Sequence, residues 1–299
     1  MKLPDIAKNA AVLDMIRRAL KEDIGAGDIT TSALIPESAS AKAVVLSHGE
    51  YVISGIDVAR AVFSEIDSRL KWEYAVMDGE RVRSGQTVST IEGSARRILA
   101  AERTALNFLQ RMTGIATLTS QFVTKASRYG VTILDTRKTT PNMRILEKYA
   151  VLCGGGKNHR MGLYDRILIK DNHIRLWNAE CGMRNEKVEK GKTKSSGPHR
   201  MVEEVRKKFP GVPVEVEVEN EVEMESVLRA NPDWILLDNM STEQLKCCVE
   251  LCGGRSRLEA SGGITLENVE SVAETGIDAI SLGCLTHSAP AADLSLEFK

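Results

Sequence analysis

The stretch VPVEVEVENEVEMESVLRANPDWILLDN (212–239) decides the fold class of this chain. Its two ends, VPVEVEVEN (212–220) and WILLDN (234–239), are short runs with β-branched or large apolar residues, and the segment 221–230 between them has helical spacing. Two strands joined by a helix pair in parallel through a right-handed crossover. The stretch therefore predicts one unit of a parallel α/β sheet.

The same alternation extends on both sides of this unit. Strand-like runs recur at 131–138, 165–173, 257–263 and 279–284, which makes six from residue 131 onward, and helix-like segments separate most of them at 141–152, 201–209, 221–230, 242–251 and 266–274. The pattern predicts an open (β/α) barrel of about six to seven strands, in which chemistry gathers at the C-terminal strand ends. A doubly wound sheet is the alternative, although no G-x-G-x-x-G motif opens a helix here.

Residues 1–112 have a different pattern. Helix-like segments at 1–20 and 56–66 accompany strand-like runs at 43–47, 51–54, 70–76 and 87–91. This predicts an N-terminal α/β sandwich domain, on which the C-terminal tail has room to pack, followed by the barrel domain at 113–299.

Three shorter segments carry their own predictions. The segment 95–128 has a helical apolar stripe with an expected interruption near Gly114, and it links the two domains. The segment DGERVRSGQTV (78–88) predicts a tight hairpin, and the polar, lysine-rich stretch 178–200 predicts a flexible surface insertion.

The overall charge is close to zero, because 40 Lys and Arg residues stand against 41 Asp and Glu residues. This balance argues against a dedicated binder of nucleic acids or membrane surfaces, which usually carries a basic excess. No stretch approaches the roughly 20 apolar residues of a membrane span, and the first 25 residues lack the apolar core of a signal peptide. The composition predicts a soluble, cytoplasmic protein with small-molecule partners.

Six cysteines are too few and too irregularly spaced for a disulfide framework. Cys247, Cys248 and Cys252 form a cluster that permits two interpretations, a metal site or thiols of a helical core. The spacing matches no C-x2-C pair, so core thiols are expected.

The charges are unevenly distributed along the chain. Eight Lys and Arg residues and only two acids lie between residues 137 and 170. Guanidinium groups bind carboxylates and phosphates bidentately, so this excess predicts a site for an anion with several oxygens, carried first by Arg137, Lys138, His159 and Arg160. For Arg144 and Lys148, four residues apart on a predicted helix, a solvated helix face is the alternative.

The complementary excess lies at 214–238, where eight acids accompany one base. Glu215, Glu217 and Glu219 share one face of a strand because side chains alternate along a strand. With Asp238 at the end of a neighbouring strand, they predict a Mg²⁺ site with few protein ligands. An exposed edge strand with a charged face is the alternative.

Glycines follow two of the later strands, in Ser261-Gly262-Gly263 and at Gly283. Such turns bring backbone N–H groups close to a phosphate in many (β/α) barrels. Together with the two charge excesses, they indicate group transfer by positioning and electrostatics on a polyanionic substrate.

Several longer motifs resemble those of the quinolinate phosphoribosyltransferases, the carboxylating nicotinate-nucleotide pyrophosphorylases of NAD biosynthesis. The motifs are GDITT (27–31), AERTALNFLQRMTGIAT (101–117), DTRKTTPNMRILEKYAVLCGGGKNHRMGLYDRILIKDNHI (135–174), VEVEVEN (214–220), LLDNM (236–240), EASGGIT (259–265) and SLGCLTHSAPAADLSL (281–296). They span nearly the whole chain.

This resemblance implies a pentosyltransferase that moves phosphoribose from phosphoribosyl pyrophosphate to quinolinate, with decarboxylation to nicotinate mononucleotide and release of pyrophosphate and CO2. It also implies dependence on Mg²⁺, an N-terminal α/β sandwich plus an open barrel, and a homodimer or higher even oligomer with shared active sites. Neither nucleic acid nor membrane is an expected partner.

The resemblance also assigns expected roles to single residues. The expected catalytic residues are Lys138, Lys170, Glu217 and Asp238, and Glu217 and Asp238 are expected to bind Mg²⁺ directly or through water, with Glu219 as the second choice to Glu217. The quinolinate carboxylates are expected at Arg137, His159, Arg160 and Lys170, with Arg103 reaching the partner subunit's site.

The remaining expected substrate contacts are Thr136 and Lys138, of which Lys138 faces phosphoribosyl pyrophosphate, and the 5′-phosphate cradle formed by Ser261, Gly262, Gly263, Leu282, Gly283 and Cys284. Three rival functions stay open. They are a related barrel transferase or transport-associated homologue without quinolinate chemistry, a metabolite-binding protein without turnover, and an aldolase that forms a Schiff base on Lys170.

Overall fold

The structure is a computed structural model that describes residues 3–180 and 198–299. The chain divides into two units, of which the first comprises residues 1–121, 138–157 and 283–299 and the second residues 122–137 and 158–282. The helices are α1 (Ala10–Ile24), α2 (Ile29–Leu34), α3 (Ile56–Ile66), α4 (Ala95–Ala126), α5 (Arg144–Cys153), α6 (Asp171–Glu180), α7 (Pro198–Lys208), α8 (Glu221–Leu228), α9 (Thr242–Cys252), α10 (Val269–Ala273) and α11 (Cys284–His287).

The strands of the first unit are β1 (Ser40–Ser47), β2 (Tyr51–Val52), β3 (Lys71–Tyr74), β4 (Arg81–Val82), β5 (Thr87–Ser94) and β12 (Leu294–Phe298). The order β12-β1-β5-β3 gives an antiparallel sheet, and β2 pairs with β4. The hairpin predicted at 78–88 is wrong, since β4 and β5 pair with different strands. A turn closed by the Gln86 N–H on the Arg83 carbonyl sends the chain from one sheet into the other.

Helix α4 runs without the break predicted near Gly114. A Cβ atom at residue 114 would lie 1.9 Å from the Pro290 carbonyl oxygen, so glycine is needed for the close approach of another backbone. The glycine therefore serves packing within the first unit.

The first unit also contains a lysine in an unexpected place. Lys148 on α5 is fully buried and Arg144 is half-buried, with its Nε donating to Thr139 Oγ1 at 3.0 Å. The interpretation of this face as solvated is wrong, because residues 146–150 of α5, Lys148 among them, are all buried.

The second unit contains β6 (Thr132–Leu134), β7 (Ile167–Ile169), β8 (Val214–Val218), β9 (Trp234–Asp238), β10 (Arg257–Ser261) and β11 (Ala279–Ser281). All six pair in parallel in the order β6-β11-β10-β9-β8-β7, so β6 and β7 are the two end strands. The predicted α/β class with an open array of about six strands is confirmed.

Strand β8 lies between β7 and β9, so the alternative of an exposed edge strand at VEVEVE is wrong. Glu215 on this strand is completely buried, whereas Glu219, just beyond its end, is exposed. The three glutamates that share a sequence pattern therefore lie at three different depths.

Both ends of the insertion predicted at 178–200 are helical, because α6 extends to Glu180 and α7 begins at Pro198. Residues 181–197 lie outside the described part of the chain. No helix among the described residues has both the length and the apolar character needed to cross a bilayer.

Candidate active site

The C-terminal ends of the parallel strands in the second unit bring most of the predicted site residues to one edge of the sheet. Because the strands are parallel, every C-terminal end points to this edge. The residues there are Thr136 and Arg137 after β6, Lys170 after β7, Glu217 near the end of β8, Asp238 at the end of β9, Ser261, Gly262 and Gly263 after β10, and Leu282 after β11.

Lys170 and Glu217 form an ion pair across two neighbouring strand ends. The Lys170 Nζ atom lies 2.5 Å from Glu217 Oε2, and the two side chains are 45% and 10% exposed. Schiff-base chemistry requires an amine nitrogen that is free to attack a carbonyl carbon, whereas this nitrogen is in contact with a carboxylate. The geometry therefore supports an electrostatic role for Lys170.

The guanidinium groups of Arg137 and Arg160, both in the second unit, interact electrostatically. Arg160 is half-buried, and burial together with the positive charge of Arg137 lowers the pKa of its guanidinium below the ordinary value. Arg160 Nη1 donates to the Arg166 carbonyl at 3.2 Å, which anchors one side of the fork. Two neighbouring cations of this kind suit a ligand with more than one anionic group.

His159 is buried rather than exposed to the edge. Its backbone N–H donates to Asp135 Oδ1 at 2.8 Å, and its ring Nε2 lies 3.0 Å from Glu215 Oε2. Burial would raise the pKa of Glu215, but the hydrogen bond from His159 and the charge of Arg166 lower it below its ordinary value. Glu215 therefore faces the donors as a carboxylate.

Glu259 on β10 completes this buried layer and was missed by sequence reasoning. Its side chain is fully buried, and its Oε2 lies 3.7 Å from His159 Nε2. Burial and the negative charge of Glu215 raise the pKa of Glu259 well above its ordinary value. The available signal was a single acid inside an otherwise apolar strand, RLEAS.

His159, Glu215 and Glu259 are the single group of three potential metal-ligating side chains found within the described residues. The thiols of Cys248 and Cys252 are buried on α9, as expected of a helical core, and Cys247 is exposed. Nothing in the described chain joins these cysteines to a histidine or acid cluster.

The turn after β9 holds Asp238 in place. Asn239 has a positive φ of 55°, its Nδ2 donates to Asp238 Oδ2 at 2.8 Å, and its backbone N–H donates to the Ser261 carbonyl at 2.8 Å. A Cβ atom at Gly262 would lie 2.1 Å from Asn239 Oδ1, so this close approach requires glycine. A cavity of about 360 Å³ is lined by this turn and by Ser261, Gly262 and Gly263.

The other predicted residues belong to the first unit. The Lys138 carbonyl accepts a hydrogen bond from Thr286 Oγ1 at 2.7 Å, and a Cβ atom at Gly283 would lie 2.9 Å from Lys138 Cδ. Cys284 begins α11, and burial raises the pKa of its thiol. Arg103 is exposed on α4.

A buried ion pair supports the loop that follows Lys138, and sequence reasoning missed it. Glu147 is fully buried, accepts from Arg111 Nη2 at 2.8 Å, and accepts from the Thr140 N–H at 3.0 Å. Arg111 also donates to the carbonyls of Thr286 and Ala289. Because a buried carboxylate needs such partners, these bonds fix the first turn of the loop.

Known protein families match nearly the whole chain. The model of the quinolinate phosphoribosyl transferase N-terminal domain matches residues 28–113, and that of the C-terminal domain matches residues 115–297. A mitochondrial quinolinate phosphoribosyltransferase (decarboxylating) 2a of Nicotiana tabacum is 42% identical over 297 residues, which cover 95% of this chain and 81% of the relative.

Similar proteins are also found among bacteria. A probable nicotinate-nucleotide pyrophosphorylase (carboxylating) of Bacillus subtilis is 38% identical over 276 residues, which cover 92% of this chain and 89% of that protein. The solved structure of the nicotinate-nucleotide pyrophosphorylase from Francisella tularensis superposes with a TM-score of 0.88 and 36% identity, over 100% of this chain and 98% of that one.

Proposed function

The chain belongs to the quinolinate phosphoribosyltransferase family, and we propose that it transfers phosphoribose from phosphoribosyl pyrophosphate to the ring nitrogen of quinolinate. Decarboxylation then gives nicotinate mononucleotide, with release of pyrophosphate and CO2. The related enzymes whose names carry this activity are pentosyltransferases, and the reaction is a step of NAD biosynthesis.

The observation that carries this proposal is the composition of the strand edge in the second unit. The positive charges of Arg137 and Arg160 act on each other, and the Lys170–Glu217 pair joins the ends of the neighbouring strands β7 and β8. Quinolinate has two ring carboxylates, and two guanidinium groups with a lysine match them better than they match the single carboxylate of nicotinate. The edge therefore supports a dicarboxylate substrate.

Glu217 and Asp238 supply the negative charges that the proposed reaction needs. The bond from ribose C1 to pyrophosphate breaks with positive charge developing on C1, and carboxylates close to that carbon stabilise the charge. Asn239 orients the Asp238 carboxylate, and Lys170 orients that of Glu217. Lys138 is the proposed partner of the leaving pyrophosphate.

The same two acids fit a Mg²⁺ ion. Mg²⁺ prefers hard oxygen ligands and often takes one or two carboxylates together with water and substrate oxygens, and Glu217 and Asp238 are carboxylates at the ends of neighbouring strands. When bound, the ion would neutralise charge on the pyrophosphate. Glu219 is exposed beyond the strand end, which makes it the weaker candidate.

Decarboxylation needs little from the protein. After ribosylation the ring nitrogen is cationic, so the bond between C2 and its carboxylate can break with the electron pair left on C2 and a proton taken up there. The arginines contribute by holding the substrate in one orientation. Acid–base catalysis by side chains is a minor part of this proposal.

The direct test is an assay of nicotinate mononucleotide from purified protein, Mg²⁺, phosphoribosyl pyrophosphate and either quinolinate or nicotinate. We expect turnover with quinolinate and none with nicotinate. Equal or preferred use of nicotinate would show that the protein is a related transferase without quinolinate chemistry. Calorimetric binding without product over hours would make it a metabolite-binding protein, and borohydride trapping of a carbonyl compound on Lys170 would make it an aldolase.

The proposal also includes a homodimer or higher even oligomer in which Arg103 completes the partner's site. The exposure of Arg103 on α4 supports this. Arg103→Ala and Arg137→Ala proteins, each inactive alone, are expected to recover part of the activity after subunit exchange, since one mixed site then carries both arginines. Exchanged heterodimers without recovery would contradict the shared site.

A further inference from the structure

A closed ring of four polar contacts joins Glu215, His159, Arg160 and Arg166 in the second unit. Glu215 Oε2 is 3.0 Å from His159 Nε2, His159 Nδ1 accepts the Arg160 backbone N–H at 2.7 Å, Arg160 Nη1 donates to the Arg166 carbonyl at 3.2 Å, and Arg166 Nη1 lies 3.4 Å from Glu215 Oε2. The ring begins and ends on the same carboxylate oxygen. Arg160 is thus held at its backbone and at its guanidinium.

The contacts of the imidazole decide its tautomer. A backbone N–H can only donate, so His159 Nδ1 is an acceptor and carries no proton. The ring proton is therefore on Nε2, where it is donated to Glu215. Both ring nitrogens are engaged inside the second unit.

This tautomer argues against a metal ion among His159, Glu215 and Glu259, although their ligand atoms lie within 4.8 Å of one another. A metal would need the lone pair of Nε2, and Nδ1 already offers its own lone pair to Arg160. The ring would have to lose both protons. Arg166 beside Glu215 adds a positive charge that further disfavours a cation there.

We propose that Glu215 is a positioning residue for substrate binding: it fixes the His159 ring, which in turn fixes the backbone of Arg160 so that the guanidinium meets a carboxylate of the substrate. The substrate half of this inference rests on the proposed function. His159 then acts on the position of Arg160 through this contact.

Glu259 provides a matched control within the same buried layer. It is as deeply buried as Glu215, but its Oε2 lies 3.7 Å from His159 Nε2, and none of the four contacts of the ring passes through it. Glu215→Gln and Glu259→Gln are the same isosteric change a few ångströms apart. Only the first interrupts the path from Glu215 to Arg160.

The kinetic test compares these two variants in the quinolinate assay. Glu215→Gln is expected to raise KM for quinolinate about 10- to 100-fold, since a misplacement of about 1 Å has that order of effect. KM for phosphoribosyl pyrophosphate should stay within about twofold of the wild-type value. For Glu259→Gln both constants should stay within about twofold. Equal changes in the two variants, or an unchanged KM in Glu215→Gln, would overturn the proposal.

A second variant breaks the ring on its other side. In the wild-type protein the Arg166 guanidinium carbon lies 5.5 Å from the centre of the Trp234 ring. Arg166→Met keeps an apolar side chain over that ring but removes the positive charge that lies beside Glu215. It is expected to raise KM for quinolinate in the same direction as Glu215→Gln. If Glu215→Gln fails to fold, an unchanged KM in Arg166→Met would count against the proposal.

The spectroscopic test needs no substrate. Nitrogen-15 NMR of the histidine rings in the wild-type protein at pH 7 should show His159 as the neutral tautomer with its proton on Nε2, assigned by its loss in His159→Gln. An imidazolium ring or a proton on Nδ1 would overturn the inference. If the wild-type protein fails to use quinolinate, both the proposed function and the substrate role of Arg160 are wrong. The NMR spectrum still decides whether the His159 ring donates its proton to Glu215.

Discussion

Glu215 and Glu217 occupy the same strand, two positions apart, and differ in nearly everything except their side chain. Glu217 lies near the strand end and pairs with a lysine that is 45% exposed, whereas Glu215 is fully buried and faces His159 and Arg166. The two positions are separated by about 7 Å along the strand. The carboxylate of Glu217 can therefore bind a ligand, whereas that of Glu215 can only hold neighbouring side chains in position.

The strongest way to break this comparison is to remove the buried carboxylate altogether. Glu215→Leu leaves Arg166 and the His159 Nε2–H without their acceptor, so we expect the free energy of unfolding to fall by about 3–5 kcal/mol. Urea denaturation followed by circular dichroism would measure it. Glu219→Leu, an exposed change two residues beyond Glu217, should change the free energy of unfolding by no more than about 0.5 kcal/mol.

Substitution of Glu217 should affect activity more than stability. Glu217→Gln is expected to lower kcat with quinolinate about 100- to 1000-fold, because a charge facing the transition state is lost. Its melting temperature should change less than that of Glu215→Leu, since glutamine keeps the shape of the side chain and an oxygen that can accept from Lys170. Glu219→Gln is the control and should keep nearly full activity, and a larger loss in this variant would exchange the roles of the two residues.

A third prediction uses the proton on Glu259. Its pKa is raised above that of an unfolded glutamate, about 4.3, so between these two values the folded state holds a proton that the unfolded state has released. Stability should therefore fall as the pH rises through this window, by at most about 1.4 kcal/mol per pH unit. Glu259→Gln should remove this dependence in thermal unfolding between pH 4 and 8, and equal pH profiles would show that Glu259 is ionised in the folded protein.

The smallest expected effect concerns the third acid of the strand edge. Asp238 is held by the Asn239 amide, so Asn239→Gly should lower kcat by about 3- to 10-fold, the value of one hydrogen bond. Asn239→Ala should lower kcat equally and also destabilise the fold by about 1 kcal/mol, because alanine tolerates the positive φ less well. Equal stability of the two variants would mean that the turn relaxes.

Much of the second unit was predictable because its signals are local. Each of the six strands is a short apolar run between polar or glycine residues, and their parallel pairing follows from the helices between them. The edge that carries Arg137, Lys170, Glu217 and Asp238 follows in turn, since parallel strands end on one side. Their roles as substrate and metal ligands stay predictions.

The sequence failed where a residue's neighbour is distant along the chain. In the sequence Gly114 predicts a helix break, but the structure shows that it allows close contact with Pro290. Lys148 is expected in solvent from its helical spacing, but it is fully buried. Glu259 had no visible partner because His159 and Glu215 lie 100 and 44 positions away in the chain. Period and composition contain no information about such pairs.

The position of β12 has a consequence for the order in which the protein can be made. Strand β1 is synthesised within the first fifty residues, but its outer partner consists of Leu294–Phe298. The ribosome must synthesise the entire second unit before β12 is made and this sheet acquires its fourth strand. Until then one edge of β1 presents unpaired backbone groups, the feature through which newly made chains pair with each other and aggregate.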